Sequence, residues 1–231
     1  MEELTEPGRA GGIALHNYYR SSASYRVRIA LELKGLKYDY VPVHLTRGGG
    51  QQFERRYRDL NPESLVPTFV KSNEIILTQS IAIIEYLEET HPEPALLPEK
   101  PEDRAYVRSI ANLIACDIHP LDNLRVLSYL KNVLMVSDNQ KNAWYRHWVE
   151  VGFEALESHF VKERLSGGRV GTLCFGDKPT LADLCLVPQV FNARRMQIPL
   201  DKFPTIVRIA DAAGELEAFK RAAPESQPDA E

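Results

Sequence analysis

The chain has 231 residues, of which 44% are hydrophobic and 26% charged, the balance of a globular protein with room for one large domain or two ordinary ones. A net charge of −4 argues against a partner held through nucleic-acid phosphates, and no apolar run approaches the roughly 18–20 residues of a membrane helix. Three cysteines without a CxxC pair and six scattered histidines give no disulfide framework and no metal site. With an acidic start that lacks an apolar stretch, they place the chain in a reducing cytoplasm.

Residues 1–12 are polar and read as a disordered tail. "IALHNY" (13–18) reads as a strand. "SYRVRIALELKG" follows as a helix stopped by Gly35. "YDYVPVHL" (38–45) is a second strand, followed by a glycine-rich loop and a short helix near 51–59. "VPTFV" (66–70) and "EIILT" (74–78) flank a Ser-Asn turn and form a hairpin. "SIAIIEYLEET" (80–90) closes a β-α-β-α-β-β-α unit, an α/β layer with a mixed sheet over residues 13–90.

Prolines at 92, 94, 98 and 101 make residues 91–103 a linker. Beyond it no strand pattern recurs. Val107, Ile110, Ala111 and Ile114 keep helical spacing, Pro120 breaks or kinks that helix near His119, and a second long helix covers about 139–165. Thr180 and Asp183 open a further helix as a capping box with Asp in place of Glu. Residues 104–222 therefore read as all-helical, and 223–231 as a second disordered tail.

Six stretches in order resemble one family: "RSSASYRVRIALELKG", "GGGQQFERRY", "LNPESLVPTFV", "TQSIAIIEYLEE", "CDIHPLDNLRVL" and "PTLADLCLVPQVFNARRM". They are similar to the zeta-class glutathione transferases, the group that includes maleylacetoacetate isomerase. The resemblance implies a thioredoxin-like N-terminal domain, an all-helical transferase C-terminal domain and a homodimer. It also implies glutathione as cofactor and a small dicarboxylic keto acid as substrate.

The residues fit that chemistry to different degrees. Ser21 and Ser22 precede a helix, so one is either an ordinary N-cap or, as in the family, a hydroxyl directed at the glutathione thiolate. A free thiol is only about 3% ionised at pH 7, so a donor at a helix N-terminus has a clear task. Ala23 stands where many relatives carry cysteine, which removes any protein nucleophile and leaves the chemistry to glutathione's sulfur. By resemblance, Val66 and Pro67 form a cis peptide that pairs with the glutathione backbone. Gln79 and Ser80 receive its γ-glutamyl carboxylate, and Gln52 lies near its glycyl end. His119, Asn123 and Arg125 correspond to further glutathione contacts, some from a neighbouring subunit. Arg20 and Arg195, with Arg194 adjacent, match positions for substrate carboxylates, where a planar guanidinium suits bidentate capture. Arg26 and Arg28 read as structural or solvated helix residues.

The implied activity is a glutathione-dependent cis-trans isomerisation of maleylacetoacetate. Maleylpyruvate isomerase and a broader transferase are the enzymatic alternatives, and a transferase-fold interaction module is the non-enzymatic one.

Overall fold

A computed structural model describes residues 12–72 and 75–231. The described residues form two compact units, the first running to Ala95 and taken up again at residues 216–231, the second made of residues 96–215. The expected N-terminal tail and the Asn73 half of the expected hairpin turn lie outside the described residues.

In the first unit, β1 (Ala14–Asn17) leads into α1 (Ser22–Leu33), followed by β2 (Asp39–Pro42). Two short 3₁₀ turns precede α2 (Arg55–Leu60), so the helix expected near 51–59 begins later than its sequence suggests. Gly50 accounts for part of this: its φ of +104° interrupts helical geometry between the two turns. The hairpin of β3 (Thr68–Ser72) and β4 (Ile75–Thr78) is followed by α3 (Ser80–Thr90). The sheet order is β2-β1-β3-β4, with β1 parallel to β2 and the other pairs antiparallel, the mixed sheet read from sequence. Helix α1 stops where Gly35 adopts φ +64° and the Leu36 amide reaches back to the Leu31 carbonyl at 2.9 Å.

Ten consecutive residues of α1, Ser22 to Leu31, are buried, because the helix also packs against α3 and against a late helix, α10 (Glu217–Ala222). This corrects the sequence reading twice. Residues 216–222 belong to the first unit rather than to the helical domain, and 223–231 are ordered rather than a loose tail. Phe219 is fully buried there, and the Gln227 amide donates to the carbonyls of Arg221 and Ala223, both at 2.8 Å. Asp229 accepts from the Tyr19 amide at 3.2 Å and from the Tyr40 hydroxyl. A polar segment can look disordered by composition and still be held when each polar group finds a backbone partner.

The second unit begins inside the expected linker. Leu96 and Leu97 are buried, and the Leu96 carbonyl accepts from the Leu181 amide at 2.9 Å. Pro101 is the first residue of α4 (Pro101–Asn112), where its missing N–H costs nothing and Glu102 and Asp103 favour the first turn. A π-helical stretch (Leu113–Ile118) passes into α5 (His119–Asp122) and α6 (Leu124–Asn132), so the expected break at His119-Pro120 is spread over six preceding residues. The long α7 (Asp138–Leu165), the buried α8 (Leu181–Arg195) and α9 (Pro204–Gly214) complete the unit. Helix α8 packs against both α4 and α9 and is buried on all sides over Leu181–Val190. The Thr180–Asp183 box caps it as read from sequence, and the other Asp183 oxygen accepts from the Cys174 amide at 2.8 Å. Among the described residues no helix is long and apolar enough to cross a membrane.

Candidate functional site

Strand register decides which loops meet in the first unit. His16 of β1 pairs with Thr68 of β3, and Thr68 pairs with Thr78 of β4. The segments that follow β1, precede β3 and follow β4 therefore leave the sheet at one end. They are Tyr18–Ser21, Val66-Pro67 and Gln79-Ser80, which between them hold most of the first-unit candidates.

Ser21 is the N-cap of α1: its Oγ accepts from the Ser24 amide at 3.2 Å. Both readings of the serine pair survive, because an accepting hydroxyl keeps its own proton for a second partner. Ser22 opens the helix and is buried, and the first amides of any helix lack intrahelical acceptors. Arg20, half-buried, lies over the rings of Tyr18 and Tyr19, 5.9 and 5.8 Å from their centroids.

The Val66-Pro67 peptide is cis. Its loop is braced from α2: the Asn61 side-chain amide donates to the Leu65 carbonyl at 2.9 Å and to Thr68 Oγ1 at 3.0 Å, while the Tyr57 hydroxyl also donates to Leu65. Gln79 has φ +66°, a strained conformation for a residue with a side chain. Its amide donates to Glu63 at 2.7 Å. Ser80 starts α3, is buried, and accepts from Arg26 at 3.3 Å, which joins the start of α3 to α1. Arg26 is thus a buried bracing residue, as is Arg28, whose guanidinium donates to Asn17 and to the carbonyls of Tyr18, Tyr19 and Ala222.

Gln52 lies in the second of the two 3₁₀ turns that follow β2. It is buried, its amide donates to the Leu45 carbonyl at 3.1 Å, and its Oε1 has no partner among the described residues, while the neighbouring Gln51 Oε1 accepts from the His44 amide at 2.7 Å. A Cβ at Gly50 would lie 2.8 Å from the Leu45 carbonyl oxygen, and φ there is +104°, so this loop needs glycine. The same loop holds a residue that sequence reasoning missed. His44 is buried, and its Nδ1 accepts from the amides of Thr46 and Arg47 at 3.2 and 2.9 Å. Its Nε2 therefore carries the proton and faces Glu231 at 3.2 Å.

The second unit holds the other candidates. His119 starts α5 and is half-buried. Asn123 caps α6, its Oδ1 accepting from the Arg125 amide at 3.0 Å, and the Arg125 side chain is exposed. At the end of α8 the two neighbouring arginines differ. Arg194 is engaged by Asp211 at 2.7 Å, both partly exposed. Arg195 instead is exposed at the helix end. No carboxylate pairs with Arg195 among the described residues, whereas Arg194 is already paired.

Comparison with known proteins accords with this arrangement. A family model described as "Glutathione S-transferase, N-terminal domain" matches residues 15–95. A probable maleylacetoacetate isomerase of Vibrio cholerae is 48% identical over 218 residues, covering 94% of this chain and 98% of its own. Among solved structures, the holo form of a maleylpyruvate isomerase, a bacterial zeta-class glutathione transferase, superposes with a TM-score of 0.88 at 44% identity, covering 94% of this chain and all of its own. A maleylacetoacetate isomerase from Methylobacterium extorquens AM1, solved with malonate and glutathione, gives 0.89 at 36% identity over 94% and 99% of the two chains. This chain belongs to the zeta-class glutathione transferases.

Proposed function

We propose that the protein is a glutathione-dependent isomerase that converts maleylacetoacetate to fumarylacetoacetate. The observation that carries this reading is the convergence of Ser21-Ser22, cis Val66-Pro67 and Gln79-Ser80 at one end of the sheet. The donor set suits glutathione: hydroxyls and amides at a helix N-terminus for its sulfur, free backbone at the cis proline for its peptide, and a second helix start for its γ-glutamyl carboxylate. When bound, glutathione supplies the thiolate that adds to the cis double bond and leaves again after rotation about the resulting single bond.

The chain's own residues prepare that step. The hydroxyls of Ser21 and Ser22 and the start of α1 favour the ionised sulfur, each pKa unit of depression corresponding to about 1.36 kcal/mol. Arg195 takes a substrate carboxylate, and Arg20 stabilises the negative charge that gathers on the substrate's keto oxygen during addition. Ala23 offers no sulfur, so no mixed disulfide with the protein competes at this position. We assign His119, Asn123 and Arg125 to glutathione binding and Gln52 to the glycyl end, on the family resemblance. The resemblance likewise supports a homodimer, and three cysteines all present as free thiols accord with a cytoplasmic location.

An assay of maleylacetoacetate and maleylpyruvate with and without glutathione tests the reading. Both isomerisations are expected to require glutathione, with maleylacetoacetate the better substrate by kcat/KM. Isomerisation that proceeds equally well without glutathione refutes the mechanism, and a strong preference for maleylpyruvate reassigns the substrate.

A further inference from the structure

The γ-glutamyl end of glutathione is a zwitterion, and the assignments above provide only for its carboxylate. The α-ammonium sits on the same carbon, so whatever receives it must stand beside Gln79 and Ser80. Glu63, in the turn between α2 and β3, stands there. Its two oxygens accept from the Gln79 side-chain amide at 2.7 Å and from the Thr78 hydroxyl at 3.0 Å. A carboxylate can only accept, so the Gln79 nitrogen faces Glu63, and the Gln79 Oε1 and second N–H remain for a ligand.

The turn fixes Glu63 from its other side. The Glu63 amide donates to Asn61 Oδ1 at 2.9 Å, and the buried Asn61 in turn holds the Leu65 carbonyl and Thr68 Oγ1. The acid therefore shares its brace with the cis Val66-Pro67 peptide. Glu63 is exposed and pairs with no cation among the described residues, whereas Glu54 and Asp59 before it pair with Arg56 and Arg55. Two neutral donors orient its carboxylate and leave the charge uncompensated. On the Ser80 side the charge is opposite. The buried Arg26 guanidinium donates to Ser80 Oγ at 3.3 Å, so Ser80 keeps its own proton for a carboxylate. The start of α3 is thus flanked by an anion beside Gln79 and a cation behind Ser80, the complement of an α-amino acid head.

We propose that Glu63 binds the α-ammonium of the γ-glutamyl group and makes this end of the site selective for an α-amino acid head over a plain carboxylate. A ligand that brings the carboxylate without the ammonium meets Glu63 as a like charge with nothing to offset it. The proposal rests on the reading that Gln79 and Ser80 receive the γ-glutamyl carboxylate.

Calorimetric binding of three thiols to the full chain tests it: glutathione, glutaryl-Cys-Gly, which lacks the ammonium, and γ-aminobutyryl-Cys-Gly, which lacks the carboxylate. The wild type is expected to prefer glutathione over glutaryl-Cys-Gly. Glu63→Gln keeps an acceptor for Gln79 and removes only the charge. It should weaken glutathione and γ-aminobutyryl-Cys-Gly by about three- to fivefold, the range of an exposed ion pair, and leave glutaryl-Cys-Gly unchanged or tighter. A wild type without that preference, a Glu63→Gln variant with unchanged glutathione affinity, or equal weakening of glutathione and glutaryl-Cys-Gly, as a merely loosened Gln79 would give, overturns the proposal. Ser80→Ala separates the two levels. It should weaken the two thiols that carry the carboxylate and spare γ-aminobutyryl-Cys-Gly. A Ser80→Ala variant that binds all three as the wild type does refutes the reading of Gln79 and Ser80, and the proposal with it. A selective Ser80→Ala beside an unselective Glu63→Gln refutes the proposal alone.

Discussion

Ser21 places two tasks on one oxygen. Its lone pair caps α1 by accepting from the Ser24 amide, and its proton remains for the sulfur of a bound thiol. The tasks separate by substitution, because aspartate caps a helix as well as serine does but an ionised carboxylate has no proton to donate. Ser21→Ala is expected to lose about 1 kcal/mol of stability together with at least tenfold in isomerisation, and Ser21→Asp to keep its stability within ~0.5 kcal/mol yet lose activity at least as severely. Thermal unfolding and initial rates on the two variants check this, and an active Ser21→Asp enzyme would remove the hydroxyl from the chemistry. Ser21, Ser22, Gln79 and Ser80 were legible in the sequence because a helix start announces itself locally. His44 was not: nothing near it in the chain marks it, and its buried place comes from the loop after β2, whose Thr46 and Arg47 amides point at its ring. Gln52 was legible as a candidate, but its inward turn depends on the backbone at Gly50, which a string of glycines does not specify.

At the level of elements, periodicity revealed most helices, and capping chemistry fixed the start of α8 closely. The π-helical stretch before α5 was the main surprise, and a glycine in a neighbouring helix helps to accommodate it. Gly152 lies in the middle of α7, where alanine is ordinarily better by about 1 kcal/mol. Here a Cβ would fall 2.3 Å from two carbons of the Ile118 side chain, which ends the π-helical stretch and is itself 1% exposed. Overpacking of that kind typically costs about 1–3 kcal/mol, so it outweighs the propensity gain. Gly152→Ala is therefore expected to lower stability by ~1–2 kcal/mol, and Gly152→Ala with Ile118→Val to recover part of the loss. Denaturant unfolding of the single and double variants measures both terms. A stabilised Gly152→Ala would mean that Ile118 has room to move and that the close approach is not what selects glycine.

For the whole molecule, the consequential feature is that the first unit is built from two separated stretches of chain. Residues 216–231 return to it after the entire second unit, a topology that local sequence patterns cannot disclose because helix α10 reads like any other amphipathic segment. Its contribution is substantial. Ala218, Phe219 and Ala222 are buried, and burying a phenylalanine alone is worth roughly 1.5–3 kcal/mol. The Ala222 carbonyl accepts from Arg28 Nε at 2.9 Å, and its loss leaves a buried guanidinium donor without that acceptor, at about 1–3 kcal/mol. These losses together approach the total stability of an ordinary domain, about 5–15 kcal/mol. A chain ending at Glu215 should therefore lose the cooperative melting of the first unit and its glutathione binding, while the second unit, which contains none of the deleted residues, keeps its own transition. A chain ending at Ala223 retains α10 but not the Asp229 and Glu231 contacts, and should keep a folded first unit that melts a few degrees lower. Calorimetry on the three lengths, with amide hydrogen exchange to assign each transition, distinguishes this from the alternative. If the chain ending at Glu215 melts like the full-length protein, then α1, α3 and the four strands are sufficient, and the buried contacts of α10 decorate a unit that is already stable.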